Sequence, residues 1–106
     1  MRLYHNPRCS KSREARNLLD ERGVDFEEYR YLEQGIHPDD VSLLSNIEGI
    51  IRVADLDSKK EVDLADPNSV SEYILANPQV LQRPILVSNG VGVIGRPPEK
   101  ILTLLL

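Results

Sequence analysis

The residues best suited to chemistry surround Cys9, the single cysteine of this 106-residue chain. Cys9 lies between a short apolar segment and a helical pattern that begins at Ser10. It therefore faces the unpaired N–H groups of a first helical turn, where negative charge is stabilised. The first 16 residues carry five arginine and lysine side chains against one glutamate, although the whole chain has a net charge of −4. This setting predicts a nucleophilic thiolate, and the alternative is an inert, buried structural cysteine.

Two residues, Arg13 and His5, are close enough to Cys9 in sequence to act on its thiol or on a bound anion. Arg13 follows one helical turn later, so both side chains can lie on one face of the helix. Arg13 could then bind an anion that the loop N–H groups also hold, while Cys9 attacks it. His5 is close enough in sequence to add a positive charge or a hydrogen bond to the sulfur. Since the chain has no second cysteine, redox turnover would need a resolving thiol from another molecule.

The apolar pattern predicts a β-α-β unit at the start of the chain. A short strand over residues 1–4 is followed by a helix over residues 10–22, with Gly23 as its stop signal. A second strand is predicted within residues 24–32, centred on residues 25–30. A strand–helix–strand unit of this length implies two parallel strands joined by a right-handed crossover.

The remainder is predicted to hold helices, then a hairpin, then a last helix. One helix is expected to start near residues 38–40, and Ser-Val-Ser-Glu at residues 69–72 fits a capping box for another. Asn89-Gly90, within residues 85–94, is a strong hairpin signal. Pro97 and Pro98 are expected to begin the last helix, with Ile101 facing the core. Residues 50–65 have no clear periodicity.

Length and composition narrow the class of protein. The chain is long enough for one core only, so we expect a single domain over residues 1–106. No apolar run approaches the roughly 20 residues of a membrane span, and the negative net charge argues against nucleic-acid binding. The histidines and carboxylates are too scattered to suggest a metal site. A single cysteine suits a reducing cytoplasm, which is the expected location.

The segment from His5 to Arg13 closely resembles the active-site loop of the glutaredoxin-linked arsenate reductases and their ArsC/YfgD-like relatives. It reads His-Asn-Pro-Arg-Cys-Ser-Lys-Ser-Arg, against the family's His-Asn-Pro-x-Cys-x-x-Ser-Arg. The resemblance implies a thioredoxin-like α/β fold, in which a four-stranded mixed sheet is flanked by helices and carries a helical insertion. It also implies a cis proline that faces the reactive cysteine, and Pro84 is the matching residue.

The same resemblance implies three arginines that bind the oxyanion. Arg83, in Arg-Pro-Ile, and Arg96, in a later Arg-Pro, match two of them. Arg52 matches the third loosely, because its alignment needs a shortened insertion and a one-residue slip. The usual fate of a single arginine is a solvated surface charge. The proximity of these arginines to turn prolines favours the binding role.

The implied reaction is the reduction of arsenate to arsenite. The Cys9 thiolate would attack the oxyanion, and the adduct would pass to glutathione as co-substrate and then to glutaredoxin, with no bound cofactor. His5 would keep Cys9 ionised, Ser12 could donate a hydrogen bond to the sulfur, and Arg13 would shape the loop or contact the anion. Two alternatives stay open. One is a glutathione-linked oxidoreductase for another substrate, and the other is an Spx-like regulator, although Ser12 stands where Spx-type proteins usually have a second cysteine.

Overall fold

The computed structural model describes residues 1–57 and 61–105, and within them a four-stranded mixed sheet forms the centre of the fold. Its strands are β1 (Arg2–Tyr4), β2 (Glu27–Tyr29), β3 (Ile85–Ser88) and β4 (Val91–Ile94), in the order β2-β1-β3-β4. β1 and β2 are parallel, whereas β1 with β3 and β3 with β4 are antiparallel. The predicted four-stranded mixed sheet with flanking helices is confirmed. The second strand is shorter than expected, since residue 31 already begins a helix.

The register of the sheet brings four chain segments to one edge. Tyr4, at the end of β1, pairs with Tyr29 at the end of β2 and with Ile85 at the start of β3. Ile85 in turn pairs with Ile94, the last residue of β4. The loops that follow β1, β2 and β4 and the segment that precedes β3 therefore meet at this edge. This edge carries the candidate site.

The helices are α1 (Ser10–Glu21), α2 (Tyr31–Gln34), α3 (Val41–Ser45) and α4 (Pro67–Ala76). Short 3₁₀ turns occur at Pro38–Asp40, Val53–Asp55 and Pro78–Val80, and a longer 3₁₀ segment spans Pro98–Leu105. In the described part of the chain, no helix has the length and apolar character that crossing a bilayer requires.

Each face of the sheet has its own apolar core. On one face, Leu3 and Leu86 pack with Ala15 and Leu19 of α1 and with Ile101 of the C-terminal 3₁₀ segment. The opposite face is the larger core. It contains Tyr4, Ile85 and Val87 from the strands, together with Leu44, Val70, Ile74, Val80 and Leu81 from the helical half of the chain. Successive side chains of β1 and β3 point to opposite faces of the sheet, so each strand contributes to both cores and helices pack on both sides.

Two predicted helix boundaries differ from the structure. The capping box at residues 69–72 is wrong, because α4 begins at Pro67 and Asp66 is its cap: the Asp66 carboxylate accepts a hydrogen bond from the Asn68 N–H at 3.0 Å. The Ser69 hydroxyl instead accepts from the Asp63 N–H at 2.9 Å. An aspartate followed by proline satisfies the first turn three residues earlier. The last helix is a 3₁₀ segment that begins at Pro98.

The hairpin prediction is confirmed in detail. β3 and β4 pair in antiparallel register around Asn89 and Gly90. Both turn residues have positive φ, +50° for Asn89 and +78° for Gly90. A two-residue turn of this kind follows the natural twist of the paired strands, and asparagine and glycine tolerate it best.

A buried polar cluster ties β1 to the turn before α3. The Arg2 guanidinium donates to both oxygens of the buried Asp40 carboxylate at 3.0 and 2.8 Å. The Tyr4 hydroxyl donates to Asp40 at 2.7 Å and accepts from the His37 N–H at 3.1 Å. Burial, together with the Asp40 carboxylate, raises the pKa of Tyr4 well above its ordinary value, so the hydroxyl stays a donor.

Replacing Asp40 with alanine is expected to lower the free energy of unfolding by about 2 kcal/mol, because it leaves Arg2 and Tyr4 without their buried acceptor. Urea denaturation of the two proteins measures this difference. Asp39→Ala is the matched control, since the neighbouring side chain is 83% exposed and should change stability by less than about 0.5 kcal/mol. Equal stability of the Asp40 and Asp39 variants would contradict the role of the cluster.

Candidate active site

Cys9 lies at the N-terminus of α1, as its sequence context predicts. Its backbone is extended, with φ −93° and ψ 121°, and the residue is partly exposed. The Cys9 N–H donates to the Asn6 carbonyl at 3.0 Å, and the Asn6 side chain accepts from the Arg8 N–H at 3.0 Å. These two bonds hold the turn after β1 in a shape that leaves the thiol at the surface.

Several donors act on the Cys9 sulfur. Burial by itself raises the pKa of the thiol. The N–H groups of Ser12 and Lys11 and the Arg83 guanidinium lower it by more than burial raises it, so the pKa lies below its ordinary value. The Arg96 Nη2 atom lies 3.8 Å from the sulfur, within reach of a weak hydrogen bond. The first turn of α1 and two guanidinium groups thus favour the thiolate.

A free cysteine thiol has a pKa of about 8.5. The rate of alkylation of Cys9 by iodoacetamide, measured as a function of pH, is therefore expected to reach half its maximum below about pH 8.5. Because the thiolate is the reacting species, the rate should fall as the pH drops through the lowered pKa. The measurement reports on one site, since the chain has a single cysteine. A midpoint at pH 8.5 or above would contradict the activated thiol.

Arg83 and Arg96, separated by the whole hairpin, converge beside Cys9. Arg83 precedes β3 and Arg96 follows β4, so the sheet register places both at the site edge. The Arg96 Nε donates to the Arg83 carbonyl at 2.9 Å, which links the two segments directly. The peptide bonds that follow both arginines are cis, so the predicted cis Pro84 is present and Pro97 is a second one.

Arg52, the loosest of the sequence matches, also lies near this group. Its Nη1 atom is 3.9 Å from Asp55 Oδ2, and the Arg83 Nη1 atom is 3.2 Å from the same oxygen. Asp55 therefore joins Arg52 to the arginines beside the sulfur. The backbone of this region is anchored by the Arg52 N–H, which donates to the Val80 carbonyl at 2.7 Å.

Arg13, the fourth candidate for anion binding, contacts the loop. Its Nη1 donates to the Pro7 carbonyl at 2.9 Å, although the residue is otherwise exposed. Of the two alternatives that the sequence left open, shaping the loop matches this contact.

His5 and Ser12 lie differently from what the sequence suggested. His5 is buried, and its Nδ1 lies 2.8 Å from the Ser12 hydroxyl, which also accepts from the Asn6 N–H at 2.9 Å. Burial lowers the pKa of His5, which disfavours the positive charge, one of the two contributions to the sulfur that the sequence suggested for this residue. The donor that Ser12 directs at the sulfur is its backbone N–H. The buried His5–Ser12 pair therefore stabilises the loop that carries Cys9.

Two residues at the site edge were missed by the sequence reasoning. Tyr31 is buried where β2 ends, near Cys9 and Arg83, and burial raises its pKa to about 12. The other is Asp55. The parallel pairing of β1 with β2 was a usable signal for Tyr31, since parallel strands end at the same edge. For Asp55, the signal was its position three residues after Arg52, a spacing that allows an ion pair on a helical turn.

The sheet, the cis Pro84 and a cysteine at the N-terminus of the first helix define a thioredoxin-like protein with a thiol at its candidate site. Comparison with known proteins makes this specific, because the sequence profile of the ArsC family matches residues 4–104. The chain belongs to the ArsC family.

Known proteins of this family are similar to the chain over almost its full length. It is 40% identical to an arsenate reductase of Neisseria meningitidis serogroup A, over 95% of this chain and 94% of that protein. It is 42% identical to the uncharacterized protein YfgD of Escherichia coli K12, over 96% and 93% of the two chains. The solved arsenate reductase of Vibrio cholerae superimposes with a TM-score of 0.79 at 31% identity, covering 97% of each chain.

Proposed function

We propose that this protein reduces arsenate to arsenite through nucleophilic attack by Cys9, with glutathione and glutaredoxin as the reducing partners. One observation carries the proposal. The N–H groups of Lys11 and Ser12 and the Arg83 guanidinium lower the pKa of the Cys9 thiol, and the Arg96 Nη2 atom lies 3.8 Å from its sulfur. Such a site favours both the thiolate and an oxyanion beside it.

The first step is displacement at arsenic. The Cys9 thiolate attacks the arsenic atom, an S–As bond forms, and one arsenate oxygen leaves as water after taking up protons. Arg83 and Arg96 neutralise the charge of the bound oxyanion, which would otherwise repel the incoming thiolate. Arsenic is still pentavalent in this adduct.

The two electrons must come from outside the chain, because it has a single cysteine. A glutathione thiol displaces a second oxygen as water, so that arsenic carries both sulfurs. The glutaredoxin thiolate then attacks the glutathione sulfur; the As–S bond breaks, and its electron pair remains on arsenic, which becomes trivalent. Hydrolysis of the bond to Cys9 releases arsenite and restores the thiol. A cytoplasm rich in glutathione suits this route.

The test is arsenate-dependent oxidation of NADPH in the presence of glutathione, glutaredoxin and glutathione reductase. Turnover is expected with the complete mixture and should be lost when either glutathione or glutaredoxin is omitted. Sustained turnover with thioredoxin and its reductase alone would contradict the proposed route, since that system supplies no glutathione.

The same assay, repeated with a glutathione mixed disulfide as substrate and accompanied by a test of binding to RNA polymerase, separates the alternatives. A protein that does not turn over arsenate but reduces a glutathione mixed disulfide would be an oxidoreductase for another substrate. A protein with neither activity that binds RNA polymerase would be a regulator of the Spx-like kind. Either result would overturn arsenate reduction and leave the fold and the cysteine site as described.

A further inference from the structure

We propose that Asp55 is a built-in competitor for the oxyanion: its carboxylate pairs with Arg83 and Arg52 and gives way when an oxyanion binds. The inference rests on the proposed oxyanion site and adds to it a residue that limits its affinity. Asp55 is separated from Arg83 by 28 positions in the sequence, and only the fold brings them together.

The Asp55 carboxylate contacts the arginines in the way that a bound oxyanion would. A single oxygen of Asp55, Oδ2, lies 3.2 Å from Arg83 Nη1 and 3.9 Å from Arg52 Nη1. A carboxylate presents a negatively charged oxygen acceptor, as an oxyanion does, so both compete for the same N–H donors. An oxyanion bound between Cys9 and these arginines must therefore share or replace this contact.

Asp55 is the member of the pair that can move. It ends the short 3₁₀ turn Val53–Asp55, its side chain is 33% exposed, and it contacts Arg83 through a single N–H rather than two. Partly exposed ion pairs with one hydrogen bond are weak. Rotation of the Asp55 side chain toward solvent breaks both contacts without disturbing the apolar core.

Arg83, in contrast, keeps its place when Asp55 leaves. Its side chain is only 17% exposed, and its Nη1 also lies 3.5 Å from the Leu81 carbonyl. Within the described residues, its buried Nε has no hydrogen-bond partner, so a donor is available to an incoming anion. Removing the charge of Asp55 should therefore free the arginine rather than disorder it.

The charge of Asp55 has a further effect that a purely structural role would not have. Once displaced, the carboxylate remains near the site and repels bound anions. It repels a dianion about twice as strongly as a monoanion, since the Coulomb energy scales with the product of the charges. Neutralising Asp55 should therefore favour divalent oxyanions over monovalent ones.

The experiment measures anion binding without turnover, as protection of Cys9 from iodoacetamide by sulfate, a dianion, and by nitrate, a monoanion. In Asp55→Asn, the sulfate concentration for half-protection is expected to fall by about two- to fivefold, the worth of a partly exposed ion pair. The fall for nitrate should be smaller. Asp55→Glu keeps the charge and should remain near the wild type.

Asp57→Asn is the matched control, because it removes an exposed carboxylate two residues away that has no contact with these arginines in the described structure. It should leave protection unchanged, and thermal melting checks that every variant is folded. Unchanged or weaker sulfate protection in Asp55→Asn would overturn the inference, as would the absence of protection in all proteins. Since no arsenate, glutathione or glutaredoxin is present, a failure of arsenate reduction in the coupled assay would leave this result standing.

Discussion

Replacing Cys9 with serine is expected to abolish arsenate reduction, lowering kcat/KM by at least about a thousandfold, as the loss of an enzyme's nucleophile generally does. The reason is specific to this site. The N–H groups of Lys11 and Ser12 and the nearby guanidinium groups lower the pKa of the thiol and so favour the thiolate. A serine hydroxyl stays protonated there and is a far weaker nucleophile, so the S–As bond of the first step has no equivalent.

The coupled NADPH assay measures this loss. Ser10→Ala is a suitable control, because Ser10 is the exposed first residue of α1 and should retain nearly full activity. Serine is close to cysteine in size, so the thermal unfolding midpoint of the Cys9 variant should stay near that of the wild type. Retention of more than a few per cent of the arsenate-dependent rate would rule out Cys9 as the nucleophile.

The second large effect is expected for Arg83→Ala, which should lower kcat/KM by on the order of 100-fold. The interaction of a guanidinium with a charged group is strong in a partly buried site. The variant removes a group that acts on the Cys9 sulfur and leaves Asp55 near the site without its nearest partner. Both changes disfavour an incoming oxyanion. Arg83→Lys should recover only part of the loss, since an ammonium does not reproduce the planar donor geometry.

Arg22→Ala provides the control for this prediction. Arg22 is an exposed arginine that follows the C-terminal end of α1, at the opposite end of the helix from Cys9. Its loss should leave arsenate reduction unchanged. Sulfate protection of Cys9 should weaken in Arg83→Ala in parallel with activity, and a thermal unfolding midpoint near that of the wild type shows that the variant is still folded. Unchanged kinetics in the Arg83 variant would remove this residue from the oxyanion site.

The sequence by itself determined the features that depend on neighbouring residues. Cys9 lies at a helix N-terminus because an extended segment, an Asn-Pro turn and a helical pattern follow one another within a dozen residues. The Asn89-Gly90 turn forms because both residues tolerate the positive φ that a two-residue hairpin needs. Local steric and hydrogen-bonding preferences are sufficient for such elements, and the resemblance of the loop to a known family then indicated the fold.

Only the tertiary structure decided which distant side chains meet. Arg96 reaches the sulfur of Cys9 across 87 positions because the strand register brings the end of β4 to the end of β1. The same packing gives Asp55 to both Arg52 and Arg83 and turns His5 toward the Ser12 hydroxyl. No local pattern encodes the contact of Arg96 with Cys9 or that of Asp55 with Arg83. A side chain's partner depends on strand register, loop path and burial, and these are properties of the whole folded chain.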